Sequence, residues 1–264
     1  MTRNNRPIGI FDSGVGGTTV WREIIKLLPR EHTIYLADSK NAPYGQKSKE
    51  EIIRLCHKNV RFLLDKGCKL IVVACNTATT NAIVELRASY DISFVGIEPA
   101  IKPAALQTQS GVVGILATQG TLSSQLFEAT SHKYAGHIKK VEVIGRNLVE
   151  QIEKGELSSE ETRQLLQSYL QPMLDASMDY LVLGCTHYPY LISTLRQLLP
   201  AHVRIIDSGQ AVAKQVAAVL ETEHLQNDTI DESKHQLYTN IKTNILEQLL
   251  SDVTTNYMIS YQDF

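Results

Sequence analysis

Two cysteines in matching surroundings are the residues of this sequence best placed to do chemistry. Leu70–Thr80 (LIVVACNTATT) and Tyr180–Pro189 (YLVLGCTHYP) are each a short apolar run that ends in a small residue, a cysteine and small polar residues. Cys75 and Cys185 are offset by 110 positions (75 to 185), and the offset persists upstream: Glu51 pairs with Glu161, Leu55 with Leu165, Leu64-Asp65 with Leu174-Asp175, and Val72 with Val182. This is an internal duplication. Two copies cannot form a solenoid, so they predict two similar domains facing one cleft, each supplying a thiol. A thiol between a strand end and a helix N-terminus is helped toward thiolate by the helix dipole. Three chemistries compete. A cysteine nucleophile with His187 as its base leaves Cys75 without a role. A dithiol redox pair needs sulfurs within bonding reach. A thiolate and a thiol on opposite faces of one carbon remove a proton from one side and return one to the other, inverting the centre. Pseudo-twofold duplication suits that reaction, because substrate and product are mirror images at the reacting carbon.

The surrounding elements read as α/β. Pro7–Phe11 is a buried strand, followed by the glycine-rich turn Asp12-Ser13-Gly14-Val15-Gly16-Gly17 and a helix that stops at Pro29. The glycine spacing is neither GxGxxG nor a P-loop, so it signals nucleotide binding only weakly. Asp12 stands where ligands gather, at the end of a strand in an α/β sheet. Thr33–Ala37 is a second strand, and the loop DSKNAPYGQ carries Tyr44 and Gly45. Ser48 caps a helix that runs to about Lys66, with Glu51 completing a capping box and Gly67 as its stop. Lys69–Ala74 lacks alternation, as a parallel strand covered on both faces does. Thr79–Tyr90 is predicted helical. Cys56 and Cys68 read as small packing residues. Gly114-Ile115-Leu116 matches Gly9-Ile10-Phe11, but Ala117-Thr118 stands where the first copy has Asp12-Ser13. The copies therefore differ in charge, as suits a ligand with distinct ends. Later segments predict strands at 141–144, 180–183 and 203–206, and helices at 148–155, 159–176 and 210–220, the last packing back on the first domain. Residues 221–235 read as a surface loop, and 237–264 yield only a helix near 244–250. The expected architecture is two pseudo-symmetric domains, 1–97 plus 208–264 and 98–207, each a mainly parallel sheet flanked by helices.

The 264 residues are 43% hydrophobic and 20% charged, with a net charge of −2. That balance argues against nucleic acid or an anionic membrane as the partner. No apolar run approaches the roughly 18 residues of a membrane helix, and the polar start lacks the apolar core of a secretory signal. Four cysteines in such a chain predict free thiols in a cytoplasmic protein. No CxxC or Cys/His spacing suggests a structural metal. No lysine pattern suggests pyridoxal phosphate, so no cofactor is expected.

Together, IGIFDSGVGG, DSKNAPYG, ACNT and GCTHYP resemble the glutamate racemases of the aspartate/glutamate racemase superfamily. The resemblance spans about residues 8 to 210 and fades over the last fifty. It implies cofactor-independent racemisation of glutamate, supply of D-glutamate for peptidoglycan, two α/β domains with the site between them, and often a homodimer. It makes Cys75 the base toward D-glutamate, assisted by Asp12, and Cys185 the base toward L-glutamate, assisted by His187. The substrate-contacting pairs become Asp12-Ser13, Tyr44-Gly45, Asn76-Thr77 and Thr186-His187. The family's acidic residue closing a Pro-Leu-Val-Glu run falls on Glu150, the implied partner of His187. Here that run reads Asn147-Leu148-Val149-Glu150, and Ile144-Gly145-Arg146 replaces the usual Ala-Cys-Pro, so Glu153, one helical turn on, is the alternative. A histidine after the second Cys-Thr resembles the glutamate enzymes, whereas a glutamate there would resemble the aspartate ones. An aspartate racemase, a cysteine-nucleophile hydrolase of a small acid and a non-enzymatic binding module are the competing readings.

Overall fold

The computed structural model describes residues 5–228 and 232–264. The polar start, residues 1–4, and part of the expected 221–235 loop, residues 229–231, lie outside the described residues. The chain runs β1 (Ile8–Asp12), α1 (Thr18–Leu27), β2 (Thr33–Ala37), α2 (Lys49–Asp65), β3 (Leu70–Val73), α3 (Asn76–Ser89), β4 (Phe94–Gly96), α4 (Ile101–Gln107), β5 (Val112–Ala117), α5 (Gln119–Leu122) and α6 (Gln125–Ala135). It continues with β6 (Lys139–Ile144), α7 (Leu148–Glu153), α8 (Glu160–Asp175), β7 (Tyr180–Gly184), α9 (Ile192–Leu198), β8 (Arg204–Ile206), α10 (Gly209–Thr222), β9 (His235–Thr239), α11 (Asn244–Leu249) and β10 (Met258–Tyr261). Among the described residues, no helix is long and apolar enough to cross a membrane.

The strands form two sheets, ordered β10-β9-β2-β1-β3-β4 and β6-β5-β7-β8, with every pairing parallel. The order β2-β1-β3-β4 in one is the order β6-β5-β7-β8 in the other. Register agrees as well: Gly9 lies opposite Ile71 and Ile10 opposite Val72, while Gly114 lies opposite Leu181 and Ile115 opposite Val182. The duplication extends to the turns that feed the thiol strands. Gly67 follows α2 with φ +75°, and Ser177, 110 positions on, follows α8 with φ +63°. The N–H groups of Gly67 and Cys68 bond the Leu64 and Leu63 carbonyls at 2.8 and 3.1 Å. Those of Ser177 and Met178 bond Leu174 and Met173 at 2.8 and 3.2 Å, the same Schellman closure. Cys68 fills the space beneath Gly9 as Met178 does beneath Gly114, which accounts for Cys68 as packing.

Each sheet is covered on both faces, so β1, β2, β3 and β7 are buried at every residue. One core lies between the first sheet and α2 and α3, around Phe11, Leu55, Leu63, Ile71 and Val73. Another lies between the second sheet and α4 and α6, around Ile101, Ile115, Phe127 and Val182. The third is continuous through both lobes, running from Ile10, Trp21 and Val216 to Leu170, Leu181 and Leu195. Ser48 caps α2 through the Glu51 N–H at 3.2 Å, as its spacing predicts. Helix α10 packs on α1, also as expected.

Three expectations change. The helix after Cys75 begins at Asn76 rather than Thr79, because Cys75 itself is the N-cap, its sulfur accepting the Ala78 N–H at 3.4 Å. The sequence predicts a helix opening at Thr121; the segment after Thr118 is instead two short helices, each started by a hydroxyl cap, Thr118 and Ser124. Residues 235–264 hold two strands, β9 and β10, that extend the first sheet beyond β2. The chain crosses between lobes twice, at the β4 and β8 edges of the sheets. The two crossings are tied by the Ser208 hydroxyl donating to the Glu98 carbonyl at 2.5 Å.

Candidate active site

The carboxyl ends of β1, β3, β5 and β7 converge on the cleft, and each delivers polar side chains into it. Cys75 and Cys185 follow β3 and β7 and are both buried, as are Asp12, Ser13, Asn76, Thr77, Thr186 and His187. A short path joins the sulfurs. Cys75 Sγ lies 3.6 Å from Ser13 Oγ, and Ser13 Oγ lies 3.4 Å from Asp12 Oδ1. Asp12 Oδ2 is 3.9 Å from His187 Nδ1, which is 3.8 Å from Cys185 Sγ. Asp12 Oδ2 also accepts the Gly17 N–H at 2.6 Å and the Thr186 hydroxyl at 3.2 Å. Asp12 thus belongs to one lobe and is gripped by both.

The glycine-rich turn acquires a clear purpose. Its amides do bind anions, but the anions are the protein's own carboxylates: the Val15 N–H donates to Glu153 Oε1 at 2.7 Å, and the Gly17 N–H donates to Asp12. A Cβ at Gly14 would lie 1.8 Å from Glu153 Oε1, and one at Gly16 would lie 2.2 Å from His187 Nδ1. Glycine is required here by close approach across the cleft.

Glu153, not Glu150, is the acid on His187. Its Oε1 lies 2.6 Å from His187 Nε2, and its Oε2 accepts the Ser39 hydroxyl at 2.8 Å. Glu150 instead accepts from Gln46 Nε2 at 2.8 Å at the exposed mouth of the cleft. Asn147, in the left-handed region at φ 60°, sets the start of α7. Leu148, Val149 and Ile152 then turn to the core, which leaves Glu153 on the last turn facing His187. Nε2 faces both the Glu153 carboxylate at 2.6 Å and the Gly16 N–H at 3.3 Å; the much shorter contact, to an acceptor-only carboxylate, favours a proton on Nε2. Burial works against the imidazolium, but bonding to Cys185 and Glu153 and their charges hold the His187 pKa well above its ordinary value. Nδ1–H then points toward Cys185 and Asp12.

On the other side, burial and the Asp12 charge push the Cys75 thiol well above its ordinary value, against the Ala78 N–H and the Ser13 hydroxyl. Burial also raises the Asp12 carboxyl, opposed by the His187 charge. Thr77 Oγ1 lies 2.8 Å from Thr118 Oγ1 and 3.3 Å from Thr121 Oγ1, and the latter two are 3.0 Å apart. This triangle of hydroxyls stands where the first copy's charges stand. Gly45 packs on Thr118, and a cavity of 120 Å³ lined by Gly45, Thr118, Arg146 and Glu150 opens beside it. A larger hollow of 490 Å³ between α1, α9 and α11 touches neither thiol. The Asn76 side-chain oxygen is buried with no partner among the described residues, a free acceptor at the start of α3.

The Tyr44 hydroxyl is not offered to the cleft. It donates to Asp38 Oδ2 at 2.5 Å and accepts from Asn59 at 3.2 Å, so Tyr44 fixes the loop that presents Gly45. The sequence reading did not single out Thr118 and Thr121 as site residues. Thr118 was recoverable from the duplication, since it occupies the place of Ser13. Asp38 and Ser39 gave no signal beyond a turn.

The fold and its duplicated thiol strands define the class of two-domain α/β racemases. A profile of the Asp/Glu/Hydantoin racemase family matches residues 8–216. The glutamate racemase of Stutzerimonas stutzeri is 49% identical over 220 residues, covering 83% of each chain. The crystal structure of the glutamate racemase isoform RacE1 from Bacillus anthracis superposes with a TM-score of 0.86 at 30% identity, covering 99% of this chain and 98% of that one. That of the Escherichia coli glutamate racemase, in complex with L-glutamate and the activator UDP-MurNAc-ala, gives 0.85 at 34% identity, covering 96% and 97%. The chain belongs to the Asp/Glu/Hydantoin racemase family and, within it, to the glutamate racemases.

Proposed function

We propose that this chain interconverts L- and D-glutamate without a cofactor, using Cys75 and Cys185 as two bases on opposite faces of the α-carbon. The observation that carries the reading is the placement of the two thiols at equivalent ends of β3 and β7 in a duplicated unit. From L-glutamate, a Cys185 thiolate removes the α-proton and the Cys75 thiol delivers one to the other face. The C–H electron pair stays on the substrate as a carbanion delocalised into its carboxylate. From D-glutamate the roles reverse. The raised pKa of Cys75 suits its part as the resting proton donor. His187, kept charged by Glu153, stabilises thiolate at Cys185, and Asp12 with Ser13 serves Cys75.

The chief obstacle is that an amino acid α-proton is far less acidic than a thiol. Preorganised donors in a water-poor cleft lower that barrier. The α3 N-terminus and the hydroxyls of Ser13, Thr77, Thr118 and Thr186 supply such donors, and the burial of the site supplies the exclusion of water. Asn76 Oδ1 is a ready acceptor for the substrate ammonium. We take residues 1–97 plus 208–264 and residues 98–207 as the two domains. We also take the enzyme as a cytoplasmic homodimer that supplies D-glutamate to peptidoglycan synthesis, in line with the resemblance of the sequence.

The test is proton NMR of each enantiomer of glutamate and aspartate with the enzyme in D2O, no cofactor added. Loss of the α-proton signal with formation of the opposite enantiomer, for glutamate alone, is expected. Exchange of aspartate in preference would move the assignment to the aspartate enzymes, and no exchange would remove it.

A further inference from the structure

The family match ends at residue 216, yet one side chain beyond it reaches back to the site. The register of β9 on β2 sets Thr239 opposite Ala37, which leaves Asn240 beside Asp38 at the strand ends. Asn240 is buried. Its Nδ2 donates to Asp38 Oδ1 at 2.6 Å, and its Oδ1 accepts the Lys40 N–H at 2.9 Å. One amide thus uses a donor and an acceptor on the two residues that flank Ser39. Asp38 anchors the same turn. Its Oδ1 also accepts from Asn41 at 2.7 Å and Lys58 at 3.2 Å, and its Oδ2 takes the Tyr44 hydroxyl. Ser39, held between them, donates to Glu153 Oε2, whose other oxygen meets His187.

We propose that Asn240 is a positioning residue for the His187–Cys185 half of the site, acting through Ser39 to keep Glu153 on His187. The inference rests on the reading of that half as one of two bases. Without the Asn240 amide, the Lys40 N–H loses its acceptor and Asp38 loses one of its donors. Ser39 is then no longer confined opposite Glu153, and Glu153 is held only by Val15 and His187. The titratable groups facing His187 are Asp12 from β1, Glu153 from α7 and Cys185 after β7. The substitution touches none of them directly, so a change at His187 reports the position of Glu153.

The experiment measures the NMR titration midpoint of His187 in histidine-labelled protein, with kcat and KM for glutamate. The proteins compared are wild type, Asn240→Ala, Ser39→Ala, the double variant and Ser39→Thr. Both alanine variants should lower the midpoint by about one pH unit and kcat about tenfold, with KM changed less than about twofold. The double variant should be no worse than the worse single one, and Ser39→Thr, which keeps the hydroxyl, should titrate as wild type. An unmoved midpoint in Asn240→Ala, or losses that multiply in the double variant, would overturn the proposal. If Asn240→Ala does not fold, Asn240→Gln displaces the amide by one methylene. It should lower the midpoint in the same direction, and an unmoved midpoint there counts equally against the proposal. The titration needs no turnover, so a wild-type protein that fails to racemise glutamate defeats the proposed function separately from this inference.

Discussion

The Cys75 and Cys185 halves share strand order, register and helix closure, yet they are wired differently. In both, the second residue after the cysteine crosses the cleft to meet the end of the other copy's first strand. On one side that meeting is His187 with Asp12, backed by Glu153. On the other it is Thr77 with Thr118, backed by Thr121. A duplicated backbone therefore fixes where the two thiols sit, while the residues that cross the cleft beside them differ in charge. One crossing is a charged relay and the other a set of neutral hydroxyls, with Asp12 shared between the two thiols through Ser13 and His187.

The largest expected effect breaks the symmetry outright. Cys75→Ala and Cys185→Ala should each lower racemisation by at least ~10³-fold, within the range for removal of a general acid or base. In D2O the two should diverge: Cys75→Ala should exchange the α-proton of L-glutamate only, and Cys185→Ala that of D-glutamate only. Exchange of both enantiomers by either variant would defeat the two-face assignment.

The next contrast is electrostatic. Glu153→Gln should lower kcat by about 10–100-fold by weakening the His187 imidazolium. The His187 pKa is raised in the native protein, so its loss of charge comes at high pH. In Glu153→Gln the alkaline limb of the kcat profile should move to lower pH. Thr121→Val, on the hydroxyl side, should raise KM and leave that limb in place, so a matching shift in both variants would erase the distinction between the halves.

A smaller difference lies in the sheets themselves. Only the first sheet carries the extension of β9 and β10, and with it His235, buried beside Trp21 and bonded to Thr33 Oγ1 at 2.9 Å. Burial and nearby His32 depress its pKa to about 4. The unfolded chain takes up this proton near its ordinary pKa of about 6.5, so stability from this group is full above that value and is lost as pH falls toward 4. Urea unfolding should show a loss of about 2 kcal/mol between pH 7 and pH 5, reduced in His235→Gln.

Smallest of all is Ser177, which holds at φ +63° a turn that Gly67 makes in the other copy. Ser177→Gly should stabilise the protein by about 1 kcal/mol, read as a rise in Tm. No gain would mean the two closures differ in a way their hydrogen bonds do not reveal.

These contrasts also mark what the sequence made legible. The duplication, the thiol strands, the Ser48 cap and Gly67 stop of α2 and the buried parallel strands follow local rules and were readable from spacing. The choice between Glu150 and Glu153 was not, because it depends on where a left-handed Asn147 starts α7. The role of Tyr44 was hidden for a related reason: DSKNAPYG contains both Asp38 and Tyr44, but nothing in that spacing says that the loop folds the hydroxyl back on Asp38 rather than into the cleft. Strand β9 alternates buried and half-buried residues, but its buried positions are His235, Leu237 and Thr239, so no apolar alternation marks it, and β10 has no buried residue; Asn240 could not be placed near the cleft from its neighbours in sequence.

The two crossings between lobes have a mechanical consequence. They lie side by side at the β4 and β8 edges, tied by Ser208 and Glu98, whereas β2 and β6 lie on the other side of β1 and β5 from that tie. The loops that follow those strands carry the Ser39–Glu153 and Gln46–Glu150 bonds. The lobes are therefore joined by covalent chain along one side of the cleft and by side-chain hydrogen bonds alone along the other, and the bond on Glu153, which meets His187, is one of that second set.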